Sequence, residues 1–520
     1  MKRFFTLIAL VLTTSCMFAG WQPNDNEMIR LDKAGASGQI QPKAARTPEG
    51  RTALTWLRWS EGLSYEDPSA GYYLYLQVFD VDGTPLLGEG GIVVSNQGTL
   101  TYTTDYGLAV TSNGDIVITY TDVRTDADSK ERTTVYAYRY DQEGHPVWNA
   151  DGVRLKPTGK STDGYEMVPL VCTCGDNVYV GFYHVEGEET NYQLQRINDD
   201  GTMAWRKNIQ VSTEMVVMQP CVDGDLYLIY SNADKGLDAQ RINKDGGSVW
   251  GNAVTIESEA VGDMFIPAPC CAVDGNGGLF LSYRKLLDWS GYQVMNHLSA
   301  DGEVLGEAVS CNGSFDGDAG SAIMAASGDK MLVAWQYEWS SPQIYVNMMD
   351  VDGNFVWQGG KKHGFALGDN DMWGLSPMAV IPQDEAWVVV YMDNTSWNGG
   401  RLKVSKVGYQ GQTMWTRHLA VGEITMSDFS VVSDEKNAYI FLTQEEQYDD
   451  DGEPIPGTGG MFVMCVAISQ QGMGIKASST TDNPQYDRCY DLQGRRLPPG
   501  TAKGMKIVKQ ADGTAVKYCR

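Results

Sequence analysis

Basic residues are the scarce charge in this chain: 40 lysines and arginines stand against 66 aspartates and glutamates in 520 residues, a formal net charge of −26. Nucleic acid and anionic membrane are thereby excluded as partners, because both need a basic footprint. The acidic excess is what keeps an exported chain soluble. No apolar run approaches the roughly 20 residues that cross a bilayer as a helix, so no transmembrane segment is expected. No stretch keeps a helical apolar period either, which points to an all-β chain. Histidine is rare, and His145, His184, His297, His363 and His418 are far apart in the sequence; a histidine metal cage is excluded. The ten cysteines contain no CxxC pair, which excludes a zinc ribbon. Cys172, Cys221, Cys270, Cys271 and Cys311 sit at apolar strand positions and read as small buried hydrophobes. Cys489 and Cys519 bracket the last segment and are the pair to test as a disulfide.

Glycine, by contrast, is plentiful and regularly placed. The stretch Tyr192–Ser212, YQLQRINDDGTMAWRKNIQVS, is a strand, an Asp-Gly turn, a tryptophan four residues past the glycine, and a second strand. It recurs eight times, with turn glycines Gly83, Gly144, Gly201, Gly246, Gly302, Gly353, Gly411 and Gly472, spaced 45 to 61 residues apart. Five have a tryptophan at plus four: Trp148, Trp205, Trp250, Trp357 and Trp415. Upstream of each turn lies a strand ending near an aromatic, as in Val178–Tyr183 and Leu226–Tyr230, and ahead of that another apolar run, as in Met167–Cys172. Each unit thus holds four strands, a to d in chain order, which is the signature of an eight-bladed β-propeller of four-stranded blades, seven being the alternative. Blades 1, 5 and 8 lack the tryptophan. Five tryptophans at one repeat position answer one repeated packing need, so they are expected to dock blade on blade.

The Gly-x-x-x-Trp spacing resembles the tryptophan-docking repeat of eight-bladed propellers of the pyrroloquinoline-quinone type. The fuller pattern across Ile116–Lys156, with TYTDVR, YAYRYDQEGHPVW and DGVRL, is closer to a repeat of secreted bacterial propellers of unassigned function. The resemblance spans residues 38–478 and implies a fold rather than an activity. At the N-terminus, Lys2 and Arg3, the apolar run Phe4–Leu12 and the small residues up to Ala19 read as a secretory signal over residues 1–20, cleaved after Ala19 or Gly20. Cleavage before Cys16, giving a lipoprotein, is the other option; Thr13 stands where a lipobox has a branched apolar residue. After a polar linker at 479–488, the tail 489–520, with YDLQGRRL and KGMKIVK, resembles the end of the type IX secretion sorting domain of Bacteroidetes. It departs in being short and in Lys506 where an aromatic is usual. The expected location is therefore secreted or on the outer-membrane surface, by way of the periplasm.

Propellers put b–c and d–a connections on one face, at the mouth of the central channel, and function on such scaffolds is loop-borne. Three b–c stretches are long and acidic: Gln444–Gly460, with Asp449, Asp450, Asp451 and Glu453; Ser60–Gly71, with Glu61, Glu66 and Asp67; and Thr121–Thr133, with Asp122, Asp126 and Asp128. Ca²⁺ is the ion such carboxylates would take. None has EF-hand spacing, and the DxDG runs at Asp80–Gly83 and Asp350–Gly353 lie on c–d turns, so these read as solvated loops and no metal site is assigned. Trp289, Trp339 and Trp397 fall just past the b strands of blades 5, 6 and 7, and Trp373 precedes strand a of blade 7. Aromatics among Ser, Asn and Gly offer flat apolar faces with hydrogen-bonding neighbours, as a sugar- or peptide-binding platform requires; folding back to cap their own blades is the other reading. Acids open strand a in several blades (Asp105, Glu166, Glu214, Asp263, Asp318, Asp371, Asp428) at unequal offsets. Cys270-Cys271 is similar to the vicinal pair of quinoprotein dehydrogenases, but no further quinone-binding set accompanies it, so no cofactor is implied. The sequence points to an exported, monomeric, non-catalytic propeller that binds carbohydrate or protein at the cell envelope. The alternative is a carbohydrate-active hydrolase or lyase with two carboxylates at the channel mouth.

Overall fold

The computed structural model describes residues 20–32, 38–60, 70–95, 97–98, 106–125, 131–157, 164–211, 216–261, 268–287, 290–310, 319–337, 343–357, 364–367, 375–396, 399–419, 426–444, 459–469, 488–490, 496–497, 505–509 and 515–519. The chain divides into two units, residues 1–468 and 469–520.

The first unit is all-β, with eight four-stranded sheets and no helix among the described residues. Blade 3 shows why the sequence folds this way. Its strands are Tyr165–Cys174, Asn177–Glu186, Glu189–Ile197 and Ile209–Val211, paired antiparallel in chain order. Strand b, NVYVGFYHVE, is apolar on both faces. Val178, Val180 and Phe182 pack on Val117, Val135 and Trp148 of blade 2, whereas Tyr179 packs with Leu226 and Leu228 of blade 4. A sheet apolar on both sides cannot stand alone, so blades stack around an axis. The eight a strands, Gln39–Arg46, Gly107–Val110, Tyr165–Cys174, Val216–Pro220, Cys270–Val273, Ala319–Ser327, Leu375–Gln383 and Met426–Ser433, each contact the next, and the last returns to the first. The ring is closed and has eight blades.

Blade 8 departs from four strands in chain order. Met426–Ser433, Asn437–Gln444 and Gly460–Ala467 supply a, b and c; the outer strand is Ile29–Arg30, with Ile29 opposite Val463 and Arg30 opposite Phe462. The N-terminal segment also brings Trp21, buried at 5 % exposure, against Phe79 of blade 1 and Tyr439 and Phe441 of blade 8, with ring centroids 5.1, 5.1 and 5.7 Å away. Trp21 then Ile29 repeats the order tryptophan then d strand. The N-terminus thus carries the half-repeat that completes blade 8, and the outermost edge is paired by the opposite end of the same ring.

The seams repeat one device. Trp148 Nε1 donates to Asp199 O of the next blade at 3.0 Å, and Trp205, Trp250 and Trp357 donate to Lys244 O, Ala300 O and Tyr409 O at 2.9 Å each. Each indole lies over the next turn glycine: a Cβ on Gly201, Gly246 or Gly411 would meet the ring at 3.3, 3.1 and 3.0 Å. These glycines also take φ of +83°, +84° and +77°, so the turn and the close approach both call for glycine. Trp415 is buried in the core shared by blades 7 and 8; Gly472 lies outside the described residues. A second tie comes five residues before the turn glycine. Arg139 joins Asp115 of its own blade at 2.8 Å to Asp199 of the next at 3.0 Å, and Arg241 joins Asp225 at 2.9 Å to Ala300 O at 3.2 Å.

In the second unit the strands Arg488–Tyr490, Arg496–Leu497, Met505–Lys509 and Ala515–Cys519 form one sheet, with the first strand between the second and third. The register corrects the disulfide expectation. Cys489 is opposite Val508, Val508 is opposite Val516, and Cys519 lies three residues beyond Val516. At about 4.8 Å per strand and ~3.3 Å per residue the two Cα atoms are roughly 14 Å apart, twice the ~7 Å that a disulfide spans.

Candidate binding face

The b–c and d–a connections leave the ring on one face, and the ends of strands b and d carry polar residues there. Trp289, Trp339, Trp373 and Trp397 lie outside the described residues, as do Cys16, His363 and Cys311. Their flanking strands are described. Leu279–Leu287 and Ser290–Leu298 bracket Trp289, Lys330–Tyr337 and Gln343–Asp350 bracket Trp339, Ala386–Ser396 and Gly399–Gly408 bracket Trp397, and Phe365–Leu367 and Leu375–Gln383 bracket Trp373. Three of these are b–c connections of consecutive blades and the fourth is the d–a connection between two of them.

The acidic stretch of blade 2 is corrected. Strand b runs to Thr125 and strand c starts at Glu131, so most of Thr121–Thr133 is sheet; Asp122 is opposite Thr134 and buried. Asp126 and Asp128, and the acids of the two other stretches, lie outside the described residues. Asp122 accepts from Ser95 Oγ at 2.9 Å, Arg124 Nε at 3.1 Å and Tyr138 OH at 2.8 Å. Burial pushes its carboxyl above the ordinary value, against the pull of the Arg124 guanidinium. Arg124 itself stacks over Tyr136, 3.6 Å from the ring centre. The stretch stays strand because Ser95, arriving from blade 1, replaces the water that an exposed loop would have supplied.

Asp122 belongs to a repeat position the sequence reading passed over. Two residues beyond the apolar side chain that strand b turns to the preceding blade, the eight blades carry Arg58, Asp122, His184, Asn232, Lys285, Tyr337, Asp393 and Gln444. All eight are polar or hydrogen-bonding. The signal was available as a polar residue two past Trp56, Tyr120, Phe182, Tyr230, Tyr283, Trp335, Tyr391 and Leu442. His184 Nδ1 is 3.1 Å from Glu166 Oε1, and both are nearly buried. Burial raises the Glu166 carboxyl, with Thr134 and His184 opposing. Lys285 Nζ reaches Glu257 at 3.1 Å and Glu259 at 2.7 Å, and Tyr283 OH donates to Glu257 at 3.2 Å. These clusters close the seams just beneath the face.

Of the acids that open strand a, Glu166 is thus partnered; Asp428 lies in the strand Met426–Ser433, and Asp105, Glu214, Asp263, Asp318 and Asp371 are outside the described residues. His145 is exposed beside Asp141 at 3.0 Å on a c–d turn, and His418 ends a d strand. Among the described residues no group of three His, Cys, Asp or Glu could hold a metal ion. The DxDG carboxylates of Asp80 and Asp350 accept N–H groups of their own turns, from Val81 and from Asp352 and Asn354. Cys172, Cys174, Cys221 and Cys465 are buried free thiols, and Cys270 and Cys271 are half-buried and free. No described helix is long and apolar enough to cross a membrane. What this face can do among its described residues is hold connections in fixed positions.

No protein-family model matches the sequence, and no curated protein matches it. Solved structures do show a likeness. A protein of unknown function from Dyadobacter fermentans is 13 % identical, with a TM-score of 0.34, over 60 % of this chain and 94 % of its own. The polysaccharide lyase Uly1 is 10 % identical, TM-score 0.42, over 84 % and 91 %. A subtype N10 neuraminidase-like protein of A/little yellow-shouldered bat/Guatemala is 9 % identical, TM-score 0.35, over 70 % and 94 %. These likenesses assign no chemistry to this chain.

Proposed function

We propose that the protein is an exported, non-catalytic propeller that binds a glycan at the cell envelope through the face of its b–c and d–a connections. One observation carries the reading. Trp289, Trp339 and Trp397 occupy b–c connections of three consecutive blades and Trp373 the d–a connection entering the last, so all four fall between strands that end on one side of the ring. Indole faces among small polar residues suit stacking on sugar rings. A hydrolase or lyase would need two accessible carboxyls at a set separation. The described seam carboxyls Asp122 and Glu166 are buried and bonded instead. Export by the leader 1–20, lipid attachment at Cys16 as its alternative, and surface delivery by the sorting-like tail belong to the same reading.

The test is a glycan array probed with the full mature chain and with the triple variant Trp289→Ala, Trp339→Ala, Trp397→Ala. Binding weakened tenfold or more, about 1.4 kcal/mol, supports the reading. Unchanged glycan binding in the variant, or none by the parent, overturns it in favour of a protein-scaffold role.

A further inference from the structure

The chain's negative charge is unevenly shared. Residues 488–520 hold eight lysines and arginines against two aspartates, a net +6, which leaves 32 basic against 64 acidic residues in 1–487. Two acids cannot neutralise eight bases wherever the connections place them. At physiological ionic strength charges are screened beyond about 8 Å, so a ligand at the sheet of the second unit meets that sheet's own charge and not the sum over the chain.

The register sorts those charges by face. Directly opposed residues of antiparallel strands share a face, and neighbours along a strand alternate. Arg488 is opposite Lys509, which is opposite Ala515; Tyr490 is opposite both Arg496 and Ile507, and Ile507 is opposite Lys517. Arg488, Arg496, Lys509 and Lys517 therefore occupy one face, with Tyr490 and Ile507 among them. Cys489, Leu497, Val508, Val516 and Tyr518 occupy the other, with Lys506. The four strands, RCY, RL, MKIVK and AVKYC, hold five basic residues and no acidic one. Only the second face can be buried without stranding charge. Arg488 directly opposite Lys509 also breaks a pairing rule, because like charges facing each other across a ladder are destabilising. A breach of that kind is expected where a ligand supplies the opposite charge.

The layout selects the ligand's class. Arg496, Tyr490, Ile507 and Lys517 form one row across the four strands, about 14 Å from end to end, with Arg488 and Lys509 in the next row on that face. A single anion would engage one end; a polymer charged on successive units engages the whole row, and an aromatic position between basic ones suits a sugar ring. A bilayer or a stiff duplex is an extended surface that would also meet the acidic remainder, joined to the sheet by residues 469–487. A flexible polysaccharide need only follow the sheet. We propose that the C-terminal sheet is a second binding site, for an anionic polysaccharide, on the face that carries Arg488, Arg496, Lys509 and Lys517. It does not rest on the reading of the ring's connections.

The test is binding of the full mature chain to immobilised polygalacturonate, a carboxylate polymer, with neutral dextran beside it. The parent should bind the polymer and not dextran, and should weaken about tenfold between roughly 50 and 200 mM salt. Lys509→Gln and Lys506→Gln each remove one charge from the same strand but from opposite faces. The first should weaken binding about fivefold, the upper end for an exposed ion pair, and the second by about twofold or less. Equal losses in the two variants overturn the proposal. So do outcomes that need no variant to fold: no binding by the parent, equal retention on dextran, or tighter binding to duplex DNA or to phosphatidylglycerol vesicles. The triple tryptophan variant of the ring should keep its polygalacturonate binding, so failure of this proposal and failure of the glycan-face reading are recognised separately.

Discussion

Lys285 shows how much one side chain at the polar repeat position holds. Burial opposes ionisation of Glu257, but the Glu259 N–H and the Lys285 ammonium hold its carboxyl below the ordinary value, and its carboxylates hold Lys285 above its own. A carboxyl that is more acidic when folded stabilises the fold above the unfolded value of about 4.3, and that contribution is lost as pH falls through the folded value. Lys285→Met leaves the half-buried Glu257 without its cation and should cost about 1–3 kcal/mol at pH 7. In urea unfolding, the gap between parent and variant should narrow from pH 6 to pH 3. A gap independent of pH would mean that Lys285 acts by packing alone. The position was visible in the sequence as a polar residue two past an apolar one, but its partners were not. Asp122 meets Ser95 and Lys285 meets Glu257 across seams that only stacking creates.

Among elements, the c–d hairpin is the part most fully written in the sequence. An Asp-Gly turn needs positive φ, and the tryptophan four residues on recurs with it. The hairpin's partner could not be read, because the Trp205 indole ends on Lys244 O, 39 residues away. Trp205→Ala removes the ring, its bond and the cover over Gly246, and should cost about 3–5 kcal/mol by chemical denaturation. A loss below ~1 kcal/mol would show that the seam holds without it. The acidic stretch of blade 2 departs from the sequence expectation for a related reason. A run of charge marks exposure only where water supplies the hydrogen bonds, whereas Asp122 finds its partners inside the protein. The tryptophans of blades 5 to 7 were legible only as aromatics in polar surroundings, since stacking geometry is not a property of sequence spacing.

At the scale of the molecule, residues 20–32 supply an outer strand and a buried tryptophan at the seam where the ring closes. Without residues 20–32 blade 8 loses its outer strand and the Trp21 plug together. A chain starting at Gly38 should unfold at lower temperature and over a broader transition by calorimetry. A peptide spanning 20–32, added in trans, should restore much of the difference by pairing with Gly460–Ala467, because strand addition supplies the same backbone bonds. A peptide carrying Trp21→Ala should restore less. An unchanged transition in the truncated chain would show that closure does not depend on the clasp.

The sequence by itself determined the blade. Period-two apolar strands, glycine turns and spaced tryptophans are local demands, set by backbone sterics and by the need to bury both faces of a sheet. It also pointed to eight units, each with its own turn, but left seven blades as the alternative, which closure of the ring settled. Only the tertiary structure decided that the eighth blade borrows its last strand and its tryptophan from the start of the chain. It alone decided which polar residues meet across each seam, and that Cys489 and Cys519 stand too far apart to bridge. Those outcomes join residues distant in sequence, and closure of the ring is what brings them together.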